Sequence, residues 1–65
     1  MDNELEKRIS RATAGEHLIF KDHRLVRAYT GKWFWIDVES GEAFTSTFIL
    51  DYVKKFKDTV LRIEG

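Results

Sequence analysis

The apolar positions change period twice along the chain, and the two changes divide it into a helix, a block of strands and a second helix. Residues 3–14 carry one narrow stripe, Leu5, Ile9 and Ala12, with charged side chains around it. An Asx start at Asp2-Asn3, acids in the first turn, bases later and Gly15 just past the end are the start and stop signals of a helix over about 3–14. Such a helix has only a slim face to bury, so it is expected at the periphery.

From His17 to Thr45 the helical period disappears. Short β-branched and aromatic runs separated by turn residues replace it, the signature of an antiparallel meander. They predict strands over about 17–21, 24–30, 32–38 and 42–45, joined at Asp22-His23, Thr30-Gly31 and Ser40-Gly41. Gly41 is the clearest turn signal, because it supplies the positive φ that a two-residue hairpin needs. Helical spacing then returns with Ile49, Val53, Phe56 and Val60 at i, i+4, i+7 and i+11, broadened by Phe48, Leu50 and Tyr52. This predicts a hydroxyl-capped helix over about 47–57. Residues 59–64 alternate and are read as a short last strand, with prolongation of the helix as the alternative. The expected fold class is α+β: an N-terminal helix, a three- to four-stranded antiparallel meander and a C-terminal amphipathic helix packed on the sheet.

Counting outward from two-residue loops at Thr30-Gly31 and Ser40-Gly41 assigns the faces. Arg24 is expected opposite Asp37, Val26 opposite Trp35 and Ala28 opposite Trp33, sharing a face with Phe44 and Ile19. The other face then holds Leu25, Phe34, Ile36, Val38 and Ala43 with Leu18 and Phe20, and Arg27, Tyr29 and Lys32 towards one end. Both faces are apolar, whereas a two-layer domain covers only one. The wider C-terminal helix is expected on the Phe34, Ile36 and Val38 side. Trp33 and Trp35 are left to the first helix and last strand, to a second copy of the chain, or to a partner.

Sixty-five residues allow one core, so residues 1–65 are expected to form a single domain. The chain has no cysteine, which removes disulfides and thiolate metal sites and favours an intracellular setting. It shows neither a signal-peptide pattern nor an apolar run of membrane-spanning length. A cytoplasmic protein beginning near Met1 and making no membrane contact is expected. Eleven basic and eleven acidic side chains cancel, which argues against the positive field of a non-specific nucleic-acid binder. Locally, Lys21, Arg24, Arg27 and Lys32 form a basic block, followed by the acids Asp37, Glu39, Glu42 and Asp51.

Candidate chemistry is sparse. His17 and His23 have no further ligands at a metal-binding spacing. Ser10, Ser40 and Ser46 have no histidine placed to activate them, and Asp37, Glu39 and Glu42 surround a turn where burial cannot tune them. The isolated glycines form no phosphate loop. No enzyme activity, cofactor, metal or small-molecule substrate is expected. What stands out is aromatic and basic: Arg24, Arg27, Tyr29, Lys32, Trp33 and Trp35 on two adjacent strands, residue types that dominate interface hot spots. The leading expectation is a small regulator or inhibitor that masks a protein partner through these residues, or a homodimer. The alternative is a nucleic-acid-binding regulator that presents the same residues to a groove or to unpaired bases.

Overall fold

Every strand expected from the alternating segments is present in the computed structural model, which describes residues 3–65. The order is α1 (Asn3–Ser10), β1 (His17–Phe20), β2 (Arg24–Tyr29), β3 (Trp33–Asp37), β4 (Ala43–Thr45), α2 (Ser46–Lys55) and β5 (Val60–Glu64). The Asx signal at Asp2 lies outside the described residues. Each strand pairs antiparallel with its neighbours in the order β4-β3-β2-β1-β5. The fold is α+β, and α2 carries the chain from the β4 edge to the β5 edge.

Local chemistry sets the ends of the helices. The Thr45 hydroxyl accepts the Phe48 N–H at 3.1 Å and caps α2. α2 ends at Lys55, two residues before the expected end, where Phe56 leaves helical backbone and a 3₁₀ turn over Lys57–Thr59 redirects the chain into β5. There the Thr59 hydroxyl and N–H both donate to the Phe56 carbonyl, at 2.7 and 3.1 Å. α1 stops at Ser10 instead of residue 14. The Glu16 carboxylate accepts the N–H of Thr13 at 3.0 Å and its hydroxyl at 2.8 Å, and also bonds the Arg8 guanidinium. A side chain that holds the Thr13 N–H competes with the next helical bond, so the chain turns at Gly15, where φ is +95°.

These bonds hold the Glu16 carboxyl down to about 2 from an ordinary 4.5, the Thr13 backbone bond contributing most, then the Thr13 hydroxyl and Arg8. Because the folded value is depressed, the stabilisation is fully present above pH 4.5 and is lost as pH falls through about 2. Wild type is therefore expected to melt above Glu16→Gln at pH 6, with the gap closing as the pH approaches 2. A gap that stays constant over thermal melts in that range would refute the linkage.

The core joins Ile9 and Ala12 to Leu18, Phe20, Leu25 and Trp35 of the sheet and to Ile49 and Val53 of α2. The helices thus cover the face that carries Trp35, contrary to the expectation that α2 lies on Phe34, Ile36 and Val38. The reason is the β2–β3 register. Tyr29 pairs with Trp33, Arg27 with Trp35 and Leu25 with Asp37, so the loop is Thr30-Gly31-Lys32, closed by the Thr30 N–H on the Lys32 carbonyl at 3.0 Å. The expected pairs Arg24–Asp37, Val26–Trp35 and Ala28–Trp33 are each off by one residue. Leu18, Phe20, Leu25 and Arg27 therefore share the Trp35 face, and Ile19 moves to the other.

The β3–β4 loop is also longer than expected. Ile36 pairs with Ala43, and Asp37 Oδ1 accepts the N–H groups of Glu39 and Ser40 at 2.8 and 2.9 Å, which builds an Asx turn ahead of Gly41. Val38 consequently lies in the loop and is exposed instead of packing under a helix.

Candidate functional site

The six residues expected to form one partner surface are distributed over three environments. Trp35 is fully buried in the core. Arg27, only 4% exposed, lies beneath the surface with its guanidinium 4.7 Å from the Trp33 ring and 5.0 Å from the Trp35 ring. Its Nε donates to the Ala12 carbonyl at 3.1 Å, Nη1 to the Ser46 hydroxyl at 2.9 Å and Nη2 to the Ser10 carbonyl at 3.5 Å. Burial lowers its pKa, and the Glu16 charge opposes that shift. Arg27 thus ties the end of α1 to the sheet and to the start of α2, placing a cation at the negative pole of α1.

Trp33 is 40% exposed and Tyr29 is exposed, with ring centroids 4.6 Å apart at the end of the β2–β3 hairpin. Lys32 is exposed in the loop beside them. Arg24 is also exposed, but it begins β2 and points to the other face, near His17 Nδ1 at 3.4 Å. Five strand residues, about 17 Å, separate Arg24 from Tyr29. Tyr29, Lys32 and Trp33 therefore come together as an exposed tip, Arg27 and Trp35 lie inside, and Arg24 stands apart.

The sheet face opposite the helices joins Phe34 and Ile36, expected under α2, to Val26 and Ala28, expected beside the Trp residues. Val26 pairs with Ile36 and Ala28 with Phe34, all four half-buried, and none belongs to the core cluster or to the partly buried apolar residues packed on it. Ile19, between Arg24 and Arg62 in the pairing register, lies on the same face but is itself only 6% exposed. Arg24, His17, Arg62 and Glu64 border that side, the Glu64 carboxyl being held low first by its bond from Arg62. The signal for this face was the apolar Val26/Ile36 and Ala28/Phe34 pairing, which emerges only with a three-residue loop.

The groups considered for catalysis are tied into structure. The Ser46 hydroxyl accepts from Arg27 and donates to the Trp33 carbonyl at 3.4 Å, and the Ser40 hydroxyl accepts the Glu42 N–H at 3.2 Å. His23 Nδ1 lies 2.8 Å from Asp22 Oδ1 while its ring stacks on Phe20. Among the described residues, no three of His, Asp and Glu cluster as a metal set, and no helix is long and apolar enough to cross a membrane. Comparison with known proteins finds no matching family model, curated protein or solved structure.

Proposed function

We propose that this chain is a small non-enzymatic interaction module that binds another protein chain, a second copy of itself or a partner whose site it masks, through the uncovered face of its sheet. The observation that carries this reading is the pair of apolar sheet faces: α1 and α2 cover the Trp35 side, and the Val26, Ala28, Phe34 and Ile36 side has no covering element among the described residues. An antiparallel sheet with a solvated face normally alternates apolar with polar residues, so an apolar centre with a charged border has the make-up of an interface. The nucleic-acid alternative draws less support, because Arg27 is buried and Arg24 and Lys32 sit at opposite ends of the β2–β3 hairpin.

Phe34→Arg tests the reading. At an uncovered strand position the change is expected to shift unfolding by no more than about 1 kcal/mol. Association should nevertheless be lost, whether it is the dimer seen by sedimentation or a stoichiometric complex captured from native lysate. A chain that stays monomeric at millimolar concentration and captures nothing that Phe34→Arg abolishes would overturn the proposal.

A further inference from the structure

A second apolar surface lies on the helix side of the molecule, independent of the open sheet face. α2 turns Ile49 and Val53 into the core and carries Phe48 and the half-buried Tyr52, at i and i+4, along its flank, with Phe56 just past its end. Phe48 and Phe56 are 51% and 49% exposed. Phe44 of the edge strand β4 stacks on Phe48 at 5.5 Å, and Tyr52 lies 4.9 Å from Phe56 and 6.0 Å from Phe20. Between these rings runs a groove of about 240 Å³, floored by Leu25 and Ile49, and a separate hollow that reaches Phe56 shares Phe48 and Tyr52 with it. Phe48 and Phe56 are therefore half-exposed rings beside the groove, and exposed apolar side chains rimmed by polar ones mark interaction sites. The groove is too small for a drug-sized ligand and suits one large side chain.

The charge around this groove selects the occupant. Asp37 lines the groove, Asp51 lines the neighbouring hollow, and Asp22 stands behind His23. Glu39 and Glu42 belong to the same loop as Asp37. Asp37 is held in its anionic form by the N–H groups of Ser40 and Glu39. Lys55 is the cation that lines the hollow. An acidic border repels phosphate, which disfavours nucleic acid and anionic lipid, and it attracts lysine and arginine, whose cations also favour exposed aromatic faces.

We propose that the groove between β4 and α2 docks a protein segment in which an apolar side chain is flanked by lysine or arginine. The apolar side chain enters between Phe44, Phe48 and Tyr52, while its basic neighbours meet Asp37, Asp51 and the outer faces of Phe48 and Phe56.

The test uses the full chain and two blocked pentapeptides, one alternating lysine with leucine and phenylalanine, the other with glutamate in place of lysine. Amide shifts in the NMR spectrum are expected to saturate with the lysine peptide and to centre on Phe44, Phe48, Tyr52 and Phe56. The glutamate peptide should bind at least tenfold more weakly. Phe48→Ala should weaken the lysine peptide about fivefold or more and Asp51→Asn about threefold, both with the dispersed spectrum of the folded chain, since both side chains are exposed. Raising the salt to half molar should weaken it further. Equal binding of the two peptides, shifts centred on Val26, Phe34 and Ile36, no saturation by several millimolar, or tighter binding of anionic vesicles at these same residues would each overturn the proposal.

Discussion

Trp35→Ala is expected to lower the melting temperature by roughly 12–40 °C, the largest loss of any single side chain here. A domain of this size has about 3–10 kcal/mol of stability, at ~0.05–0.15 kcal/mol per residue. Removing a fully buried Trp costs about 3–5 kcal/mol in transfer and cavity energy, and each kcal/mol moves a small domain by roughly 4–8 °C. Trp35 is inaccessible and lies at the centre of a core supplied by both helices and by the sheet. Trp35→Phe should behave quite differently. The Trp35 indole N–H is buried without a hydrogen-bond partner among the described residues, and such an orphan donor costs ~1–3 kcal/mol. Phenylalanine removes the orphan while keeping most of the apolar volume, so its net cost is expected to stay near 1 kcal/mol or below. Urea unfolding followed by far-ultraviolet circular dichroism separates the two variants. An alanine variant as stable as the phenylalanine one would mean that Trp35 is not the centre of the core.

The contrast between Trp35 and Phe34 also shows where sequence reasoning stopped. Period and turn residues located both α-helices and all five strands, because alternation and helical spacing are local properties of the chain. The face each strand buries is not local, since it depends on loop length, and a one-residue change in a hairpin turns over every side chain beyond it. Thr30-Gly31 has the composition of a two-residue turn, yet Lys32 joins the loop, so Arg27 comes to oppose Trp35. The β3–β4 loop was misjudged by two residues and not by one, with no effect on facing: Phe44 lies on the Trp35 face as expected.

The same slip explains the candidate surface. Two apolar faces on one sheet were legible from composition and alternation alone, but what covers the second was left open between the first helix with the last strand, a second copy of the chain and a partner. Which face stays open was decided by a single loop residue. The aromatic groove was partly legible too. Phe48 and Tyr52 were visible as a broadening of the α2 stripe, but as part of the face expected to pack on the sheet. Its acidic border follows from the run of acids after Ile36, but the stacking of Phe44 on Phe48 requires the β3–β4 pairing.

Arg27→Ala is expected to cost about 3 kcal/mol and to release α1 before the rest of the chain unfolds. The guanidinium spends its donors on two carbonyls at the end of α1 and on the Ser46 hydroxyl, and its central carbon lies within 5.0 Å of both Trp ring centroids. Hydrogen bonds to a charged donor contribute about 1.5–3 kcal/mol each, and acceptors abandoned in a buried site carry their own desolvation penalty. Part of that gain is offset by the cost of burying the cation, which is why the net figure is smaller than the sum of the bonds. Lysine keeps the charge but has neither the planar fork nor the stacking surface, so Arg27→Lys should recover less than half of the loss. Arg27→Met is the sharper variant. Replacing a buried charge by an apolar residue of similar volume is often neutral, but here the carbonyls of Ser10 and Ala12 would remain without their donor, so a loss of about 2 kcal/mol is expected. Hydrogen exchange should show the α1 amides losing protection in all three variants while β2 and β3 keep theirs. A methionine variant as stable as wild type, with α1 still protected, would mean that packing against Trp33 and Trp35 holds this junction without the cation.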